Sequence, residues 1–564
     1  MNLFERLSKP ILEVFPGLDT GDLMFGAPPN PDMGDVGVRM FEAAKKLRMA
    51  PPQIAQRVVG EAHFGPEVVE ARAVGPFVNF RLERAVFARD IVAAIYADGE
   101  RFGSNGSGDG RRALVEHTSI NPNASPHVGR ARNAMIGDSL VRLLRFEGYD
   151  VEVQYYVNDI GRQIALLVLA CEDPGKMTFD DMLTTYGAAN ARAETDPQFA
   201  AQGYELLAQI EEGDPKAQQR FHAVTEMCLR GQLGVLERLG ARYDVFVRES
   251  QYVRDPRLEA VLDALRGKDA LFTDEEGRVT VDLSKLGYAY EEGRYAALLR
   301  SNGSSMYFYR DLAYTMDKLE RNADLNLIVL GEDHKLYLQQ LTLILEAAGK
   351  SAPEGVPYAH ILLKEGKMST RQGNVVLLSD FLDEATARAS EKVGEQWPDV
   401  PRDEQNAIAE KVAVAAIRFA ILRVNANKNV IFDWASALSF TGDTGPYIQY
   451  CCARINSILR KYGELEATIP DAFPVETDAE WALLMKLAEF PDTVAGATKQ
   501  RSCAPIAQYA LETARLFTAF YHDCPVLKAP EETQRVARAL VCAATLQTLE
   551  NALGILGINA LERM

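Results

Sequence analysis

Cysteine is scarce in this chain, and none of its seven cysteines stands in Cys-x-x-Cys spacing. An odd number without that spacing excludes a disulfide framework and argues against a structural zinc site. No apolar run approaches the roughly 18 uncharged residues that a membrane helix needs, so no membrane partner is expected. The opening stretch Met1-Asn2-Leu3-Phe4-Glu5-Arg6 lacks the apolar core of a secretory leader, and cytoplasm is the expected compartment. No strand is followed by the Gly-x-Gly-x-x-Gly of dinucleotide folds. Gly366-Lys367-Met368-Ser369-Thr370 resembles the end of a P-loop, but position 361 is Ile and Met follows the Lys, which disfavours a P-loop NTPase. No repeat of fixed period is present. Positive charge is in deficit: the formal net charge of −18 argues against indiscriminate coating of nucleic acid, while a local basic face still leaves room for a specific RNA.

What is present is an ordinary globular composition, 47% hydrophobic and 25% charged over 564 residues. That length corresponds to roughly three to four domains. The Gly/Ser-rich stretch Gly103 to Gly110 reads as a flexible linker. It closes an N-terminal module, residues 1–103, that mixes an amphipathic helix (Val38 to Leu47) with the alternating strand-like segment Pro76 to Leu82. Beyond it, Arg112 to His117 predicts a buried strand, 128–147 a helix ended by Gly148 at C′, and Tyr149 to Tyr156 the next strand. This strand–helix–strand unit belongs to a parallel, doubly wound sheet, with further strands at Leu325 to Leu330 and Ala359 to Leu363. A helical insertion is expected near 160–290. The α/β domain spans 111–387, and 388–564 reads as all-α.

Two short segments carry the chemistry. Ser125-Pro126-His127-Val128-Gly129-Arg130 lies at the strand-to-helix turn, where helix N–H groups can hold a phosphate. Gly129 lets a base or phosphate approach the backbone, and His127 can donate to a phosphate oxygen. Taken alone, His127 reads better as a surface residue at a helix N-terminus. Upstream, Glu116, Ser119 and Asn121 add polar groups at the carboxyl end of the strand, where open α/β sheets bind ligands. The second segment, Lys367-Met368-Ser369-Thr370-Arg371, places two cations in one loop before a helix capped by Ser379, as phosphoryl chemistry requires. Together the segments point to ATP-dependent activation of a carboxylate.

Two further patterns stay open on residues alone. Tyr307 and Asp311 share one face if a helix starts there, and the carboxylate can hold a planar cation; Asp311 serves equally as a partner of Arg310 or as a helix cap. Residues 447–461 make a two-faced helix. Ile448, Cys451, Cys452, Ile455, Ile458 and Leu459 form its apolar stripe, and Tyr447, Tyr450, Arg454, Ser457 and Lys461 the other. The second stripe suits stacking on unpaired RNA bases, or is the outer face of a bundle helix.

The chain resembles the arginyl-tRNA synthetases of class I in their archaeal-type version. The likeness is carried by Val115 to Pro122 running into Pro126 to Asn133, by Tyr155 to Gln163, and by Arg300 to Ser305 leading into Tyr307–Asp311. Phe432-Asp433-Trp434 and Gly445 to Tyr450 resemble the helical anticodon-binding domain. Gly34-Asp35 and Gly75 to Phe80 resemble the add-on domain that approaches the tRNA elbow.

The resemblance implies a Rossmann-like catalytic domain, an α+β N-terminal domain and a C-terminal helical bundle. It implies L-arginine, ATP as its Mg2+ complex and tRNA(Arg) as substrates, an arginyl-adenylate intermediate, activation that generally requires bound tRNA, and a monomer. Carried over by position, Glu116, Ser119, Asn121, Tyr307, Asp311 and Gln339 hold arginine. His127, Gly129, Arg130, His334, Lys367, Met368 and Ser369 bind ATP, and His127, Lys367 and Arg371 are catalytic. Asn79, Phe80, Tyr447, Gln449, Tyr450 and Arg454 meet the tRNA. Two positions depart from the family pattern: Arg130 replaces the second His of the first motif, and Thr370 the second Lys of the other. The alternatives are a class I synthetase for another amino acid and a non-catalytic tRNA-binding paralogue.

Overall fold

The computed structural model describes residues 3–26, 28, 30–122, 125–364, 376–465, 468–471 and 473–563. Its centre is a five-stranded, all-parallel sheet. In chain order the strands are β1 (Arg112–Glu116), β2 (Asp150–Val157), β3 (Val245–Arg248), β4 (Leu325–Gly331) and β5 (Glu354–Tyr358), and they lie side by side as β3-β2-β1-β4-β5. Val115 sits opposite Val153 on β2 and Leu327 on β4. The chain runs outward from β1 to β3, then returns to β4 on the other side of β1. The order therefore reverses between β1 and β4, and the crevice beyond their carboxyl ends is where such sheets take ligands.

Helix α1 (Val128–Phe146) connects β1 to β2. It ends as the sequence pattern predicts. Gly148 has φ +93, its N–H donates to Arg145, and the Tyr149 N–H reaches back to Leu144, a Schellman closure. A Cβ on Gly148 would lie 2.0 Å from the Asp109 carboxylate. Later helices of this region are α2 (Tyr307–Glu320), α3 (Lys335–Ala347) and α4 (Leu378–Gln396). Ser379 does not cap α4: Leu377 holds the cap position, and the Ser379 hydroxyl turns to Asp380.

Within the helical insertion expected near 160–290, a first run of helices ends at Arg238, Val245–Arg248 then joins the sheet as β3, parallel to β2, and a further helix follows at Glu259–Gly267. Residues 271–299 form a separate antiparallel sheet of three short strands. Strands of three to five residues leave too short an alternation to be told from loop in the sequence.

The N-terminal module carries a four-stranded antiparallel sheet whose inner strands are Val36–Arg39 and Phe77–Leu82. The stretch after it is pinned, contrary to the flexible linker expected. The Glu147 carboxylate, buried at 0% exposure, accepts from the Asn105 N–H and the Ser107 hydroxyl, and Asn551 donates to the Gly99 and Phe102 carbonyls. Gly103 faces the Phe490 ring at a distance no side chain would fit. Glycines here permit close packing and positive φ instead of supplying slack.

The C-terminal part is a bundle that includes α5 (Arg402–Leu422), α6 (Gly445–Tyr462), α7 (Ala504–Asp523) and α8 (Glu532–Ile555). It shares one hydrophobic core with the N-terminal module and with α1, joining Leu7, Phe80, Leu140, Phe419, Phe490 and Leu549. Two buried guanidiniums lock this contact. Arg418 of α5 donates to the carbonyls of Leu556 and Leu239, to the Asp138 carboxylate at 2.7 Å and to the Ser139 hydroxyl. Arg132 of α1 donates to the carbonyls of Ala359, His360, Asn425 and Lys428.

A buried ion pair that loses one partner leaves an uncompensated charge. Arg418→Ala is expected to cost about 3–5 kcal/mol, read as a lower denaturation midpoint. Arg142→Ala removes a partner of Asp138 whose side chain is 37% exposed, and is expected to cost less than about 1 kcal/mol. Equal losses would mean that the Arg418 contacts do not tie the regions together.

Candidate active site

The site opens where β1 and β4 end and α1 begins. After Glu116 the chain makes a sharp turn through Thr118, a non-glycine residue at φ +62. The turn is held from below: the Thr118 N–H donates to the Asn133 side-chain oxygen at 2.8 Å, and Asn133 donates to the Val329 carbonyl of β4. Left-handed backbone at a threonine costs free energy, and it persists where surrounding contacts over-determine it. Beside it His117 is fully buried, with Nδ1 at 2.8 Å from the Thr118 hydroxyl. Burial lowers its pKa to about 4, so the ring is neutral at physiological pH. Gly137 makes room for this ring, because a Cβ there would fall 2.2 Å from it.

His127 occupies the N-cap position of α1 in extended backbone, and its carbonyl accepts from the Arg130 and Ala131 N–H groups. Its side chain makes no cap bond and is half-buried. Burial and then the nearby Arg130 hold its pKa below the ordinary range. A Cβ on Gly129 would come 3.1 Å from this ring, so Gly129 gives His127 space as well as opening the backbone. Arg130 lies with Asn133 at the Tyr358 hydroxyl on the last residue of β5. His334 stands just past β4, 44% exposed along its side chain and 3.7 Å from Asp333.

Lys367, Met368, Ser369 and Arg371 lie outside the described residues. The segments on either side of that stretch are placed. Ile361–Leu363 pairs in parallel with Val430–Phe432, and Lys364 reaches Asp433 at 3.3 Å. At the other end the Val128 N–H donates to the Val376 carbonyl, and the Leu378 N–H to Pro126. Val376 and Leu378, on the far side of that stretch, therefore lie directly beside the first motif.

Helix α2 begins at Tyr307, which puts Tyr307 and Asp311 on one face. Asp311 is buried and accepts a hydrogen bond from the Tyr337 hydroxyl of α3. Burial, and then the negative charge of Glu116, push the Asp311 pKa up to about 6; Lys318 and the Tyr337 bond act the other way. Glu116 is itself engaged: the fully buried Lys318 donates to its Oε2 at 2.6 Å. A third buried carboxylate, Glu249, accepts from Arg310 at 2.6 Å, and its pKa is raised by burial to about 7.

Ser119 donates to the Tyr156 carbonyl at 3.3 Å, and Asn121 accepts from Asn158 at 3.1 Å. Gln339 is exposed on α3. Two residues on from Tyr337, it points about 200° away round the helix, so the fold does not bring it to Asp311.

Three groups of this pocket had no role from the sequence. Tyr337 closes on Asp311, and Lys318 on Glu116. The Tyr156 hydroxyl is buried without a partner among the described residues, and the charges of Glu249 and Asp311 act on it. Tyr156 lies in the Tyr155–Gln163 motif. Tyr337 and Lys318 carry no signal beyond helical spacing from Asp311 and His334.

Of the residues expected at the tRNA, Phe80 and Gln449 are fully buried. Phe80 lies in the core of the N-terminal sheet, and Gln449 donates to the Lys411 and Asn559 carbonyls. Asn79 is also buried, against Gly37. These three hold the fold and present no side chain to RNA. The Tyr447 hydroxyl bonds Thr518 of α7 at 2.9 Å. Tyr450 and Arg454 instead form an outer stack. The Arg454 guanidinium lies 4.7 Å from the Tyr450 ring centroid and 5.0 Å from that of Tyr521, which is itself exposed. Among the described residues no group of three or more His, Cys, Asp and Glu could hold a metal ion, and no helix is long and apolar enough to cross a membrane.

Family models match three stretches: the catalytic domain of class I tRNA synthetases (R) over residues 91–434, the DALR anticodon binding domain over 448–564, and the arginyl tRNA synthetase N terminal domain over 2–82. An arginine–tRNA ligase of Methanopyrus kandleri is 39% identical over 545 residues, 92% of this chain and 90% of that one. One of Methanosarcina acetivorans is 35% identical over 569 residues, covering 99% and 98%. Among solved structures, the Thermus thermophilus arginyl-tRNA synthetase superposes with a TM-score of 0.80 at 30% identity, with 100% of both chains covered. The Plasmodium falciparum enzyme reaches the same TM-score at 19% identity, a likeness of fold.

The raised pKa of Asp311 makes a prediction about stability. A carboxyl whose folded pKa lies above its ordinary value contributes stability below that value, and the contribution is lost as pH rises through about 6. Asp311→Asn is therefore expected to raise the thermal midpoint of the ligand-free chain at neutral pH more than in mild acid. A variant less stable at neutral pH would show that the carboxylate is net stabilising.

Proposed function

The chain belongs to the class I arginyl-tRNA synthetases, and from that membership we propose how its residues divide the work. The reaction is the ATP-dependent ligation of L-arginine to tRNA(Arg). The arginine carboxylate attacks the α-phosphate of ATP, a bond forms from its oxygen to phosphorus, and the bond to the β-phosphate oxygen breaks, releasing pyrophosphate. A hydroxyl of the 3′-terminal adenosine then attacks the arginyl carbonyl, and AMP leaves.

Asp311 receives the guanidinium. It is a buried carboxylate at the reversal point of the sheet, oriented by the Tyr337 hydroxyl, and this observation carries the assignment. A planar cation matches a carboxylate with two charge-assisted hydrogen bonds. A pocket for glutamate or glutamine would present a cation instead. Tyr307, Ser119 and Asn121 complete the pocket. The α1 N-terminus takes phosphate, with His127 donating, Gly129 leaving the approach open, and Arg130 and His334 at its borders. Lys367 and Arg371 neutralise the departing pyrophosphate. Mg2+ enters on the triphosphate as part of the substrate. The Tyr450–Arg454–Tyr521 stack meets unpaired tRNA bases.

Pyrophosphate exchange tests the substrate assignment. Exchange is expected with arginine, only in the presence of tRNA(Arg); exchange with a different amino acid, or none under any condition, would overturn it. For the outer stack, Arg454→Ala is expected to raise the tRNA KM about tenfold or more, as loss of a stacking contact worth about 1–3 kcal/mol would. The arginine and ATP KM values should hold. An unchanged tRNA KM would remove Arg454 from the interface.

A further inference from the structure

Lys318 is a cation buried to 0% side-chain exposure beside a pocket for a cationic substrate. Burying an ammonium costs several kcal/mol unless it is paired. Its Nζ lies 2.6 Å from Glu116 Oε2 and 4.3 Å from the centroid of the Tyr314 ring. Tyr314 is held in turn: its hydroxyl donates to Gln154 at 2.7 Å, and its ring stacks on Tyr156 at 4.5 Å. On α2, Asp311 and Lys318 are seven residues apart, two turns along one face. Glu116, at the end of β1, acts electrostatically on Asp311 and pairs with Lys318.

The charges facing Asp311 can be counted. From β1 comes Glu116, negative. From α2 come Lys318, positive, and Arg310, positive. From the turn after β3 comes Glu249, a carboxyl that burial pushes up to about 7 and that sits on Arg310. Tyr307, Tyr314, Tyr156 and Tyr337 are neutral hydroxyls. Glu249 and Arg310 pair with each other, as do Glu116 and Lys318. Among the described residues, the Asp311 carboxylate is left without a basic side chain of its own.

We infer that Lys318 is a positioning and specificity residue: its ammonium neutralises Glu116, so that among the described carboxylates of the pocket Asp311 is the one left ionised without a cation, and the pocket takes one guanidinium. This rests on Asp311 as the guanidinium partner and adds a second, internal cation to it. Without Lys318, two neighbouring carboxylates share the pocket, and like charges cannot both stay ionised cheaply. A proton then competes with the substrate at Asp311. Burial first, and then Glu116, already favour that proton, while Lys318 opposes it.

The test is the arginine KM at saturating ATP and tRNA as a function of pH, for the wild-type chain, Lys318→Met, Lys318→Arg and the double variant Glu116→Gln/Lys318→Met. In the wild type KM should be flat above about pH 7 and rise about tenfold per unit once pH falls below about 6, because protonation removes the anion. In Lys318→Met the rise should begin at least about one unit higher, with kcat at saturating arginine little changed. Lys318→Arg should keep the wild-type profile. The double variant, which removes both charges, should return the break towards wild type; it carries the test if Lys318→Met does not fold. A break that stays in place in Lys318→Met, or a KM raised by one factor at every pH, overturns the role of Lys318. That result is distinct from failure of the underlying reading, in which Asp311→Asn leaves the arginine KM unchanged or the wild type forms no arginyl-tRNA.

Discussion

Arg418 reaches zero exposure because four acceptors from three parts of the chain converge on its guanidinium. Leu556 closes the bundle, Leu239 ends the insertion, and Asp138 with Ser139 lies on the helix that leads from the active-site turn. A buried guanidinium left short of partners would cost several kcal/mol, so these segments must meet in one geometry. A Cβ on Gly557 would strike the Arg418 side chain at 2.4 Å, so the chain passes it as glycine. Arg132 acts similarly on the other flank of α1 through four carbonyls. Between them, the two arginines hold α1 against the bundle and against the segment that leads to the Lys367–Arg371 stretch.

This matters for chemistry because α1 presents its N-terminus to the site. His127, Gly129 and the Thr118 turn are placed by one helix whose buried Arg132, Asn133 and Asp138 bond to residues distant in the chain. Thr118 keeps its left-handed conformation because Asn133, from that helix, accepts its N–H. The neutral His117 fills the space that Gly137 leaves. Placement of the His127 turn and domain assembly thus depend on the same element, and the strain sits where the fold is most constrained.

The electrostatic design of the amino-acid pocket is one of near balance. Three carboxylates are buried near one another, and two of them have cations of their own. Desolvation raises the proton affinity of Asp311, while the Lys318 charge and the Tyr337 hydroxyl lower it. The fold holds the Asp311 charge at a cost, and the proposed guanidinium contact would relieve it. Under that proposal a neutral analogue would leave a buried anion unpaired.

Much of this was legible in the residues themselves. The strand–helix–strand unit, the glycine that ends α1 and the shared helix face of Tyr307 and Asp311 follow from periodicities of two and 3.6 residues, which need only local chain geometry. The two motifs and their flanks identify the family for the same reason, since each is a contiguous string. The third dimension decided where polar side chains point. Gln449 sits one residue from Tyr450, yet the helix turns it into the core, while Tyr450 and Arg454 meet Tyr521 from another helix. Lys318 and Glu116 are far apart in sequence, and packing α2 against the end of β1 makes them an ion pair. Glycines 103–110 read as slack and are held by Glu147 and Phe490. Local pattern determines which elements form and which chemistry they carry; charge pairing, burial and the choice between ligand contact and core contact depend on through-space distances that no spacing along the chain encodes.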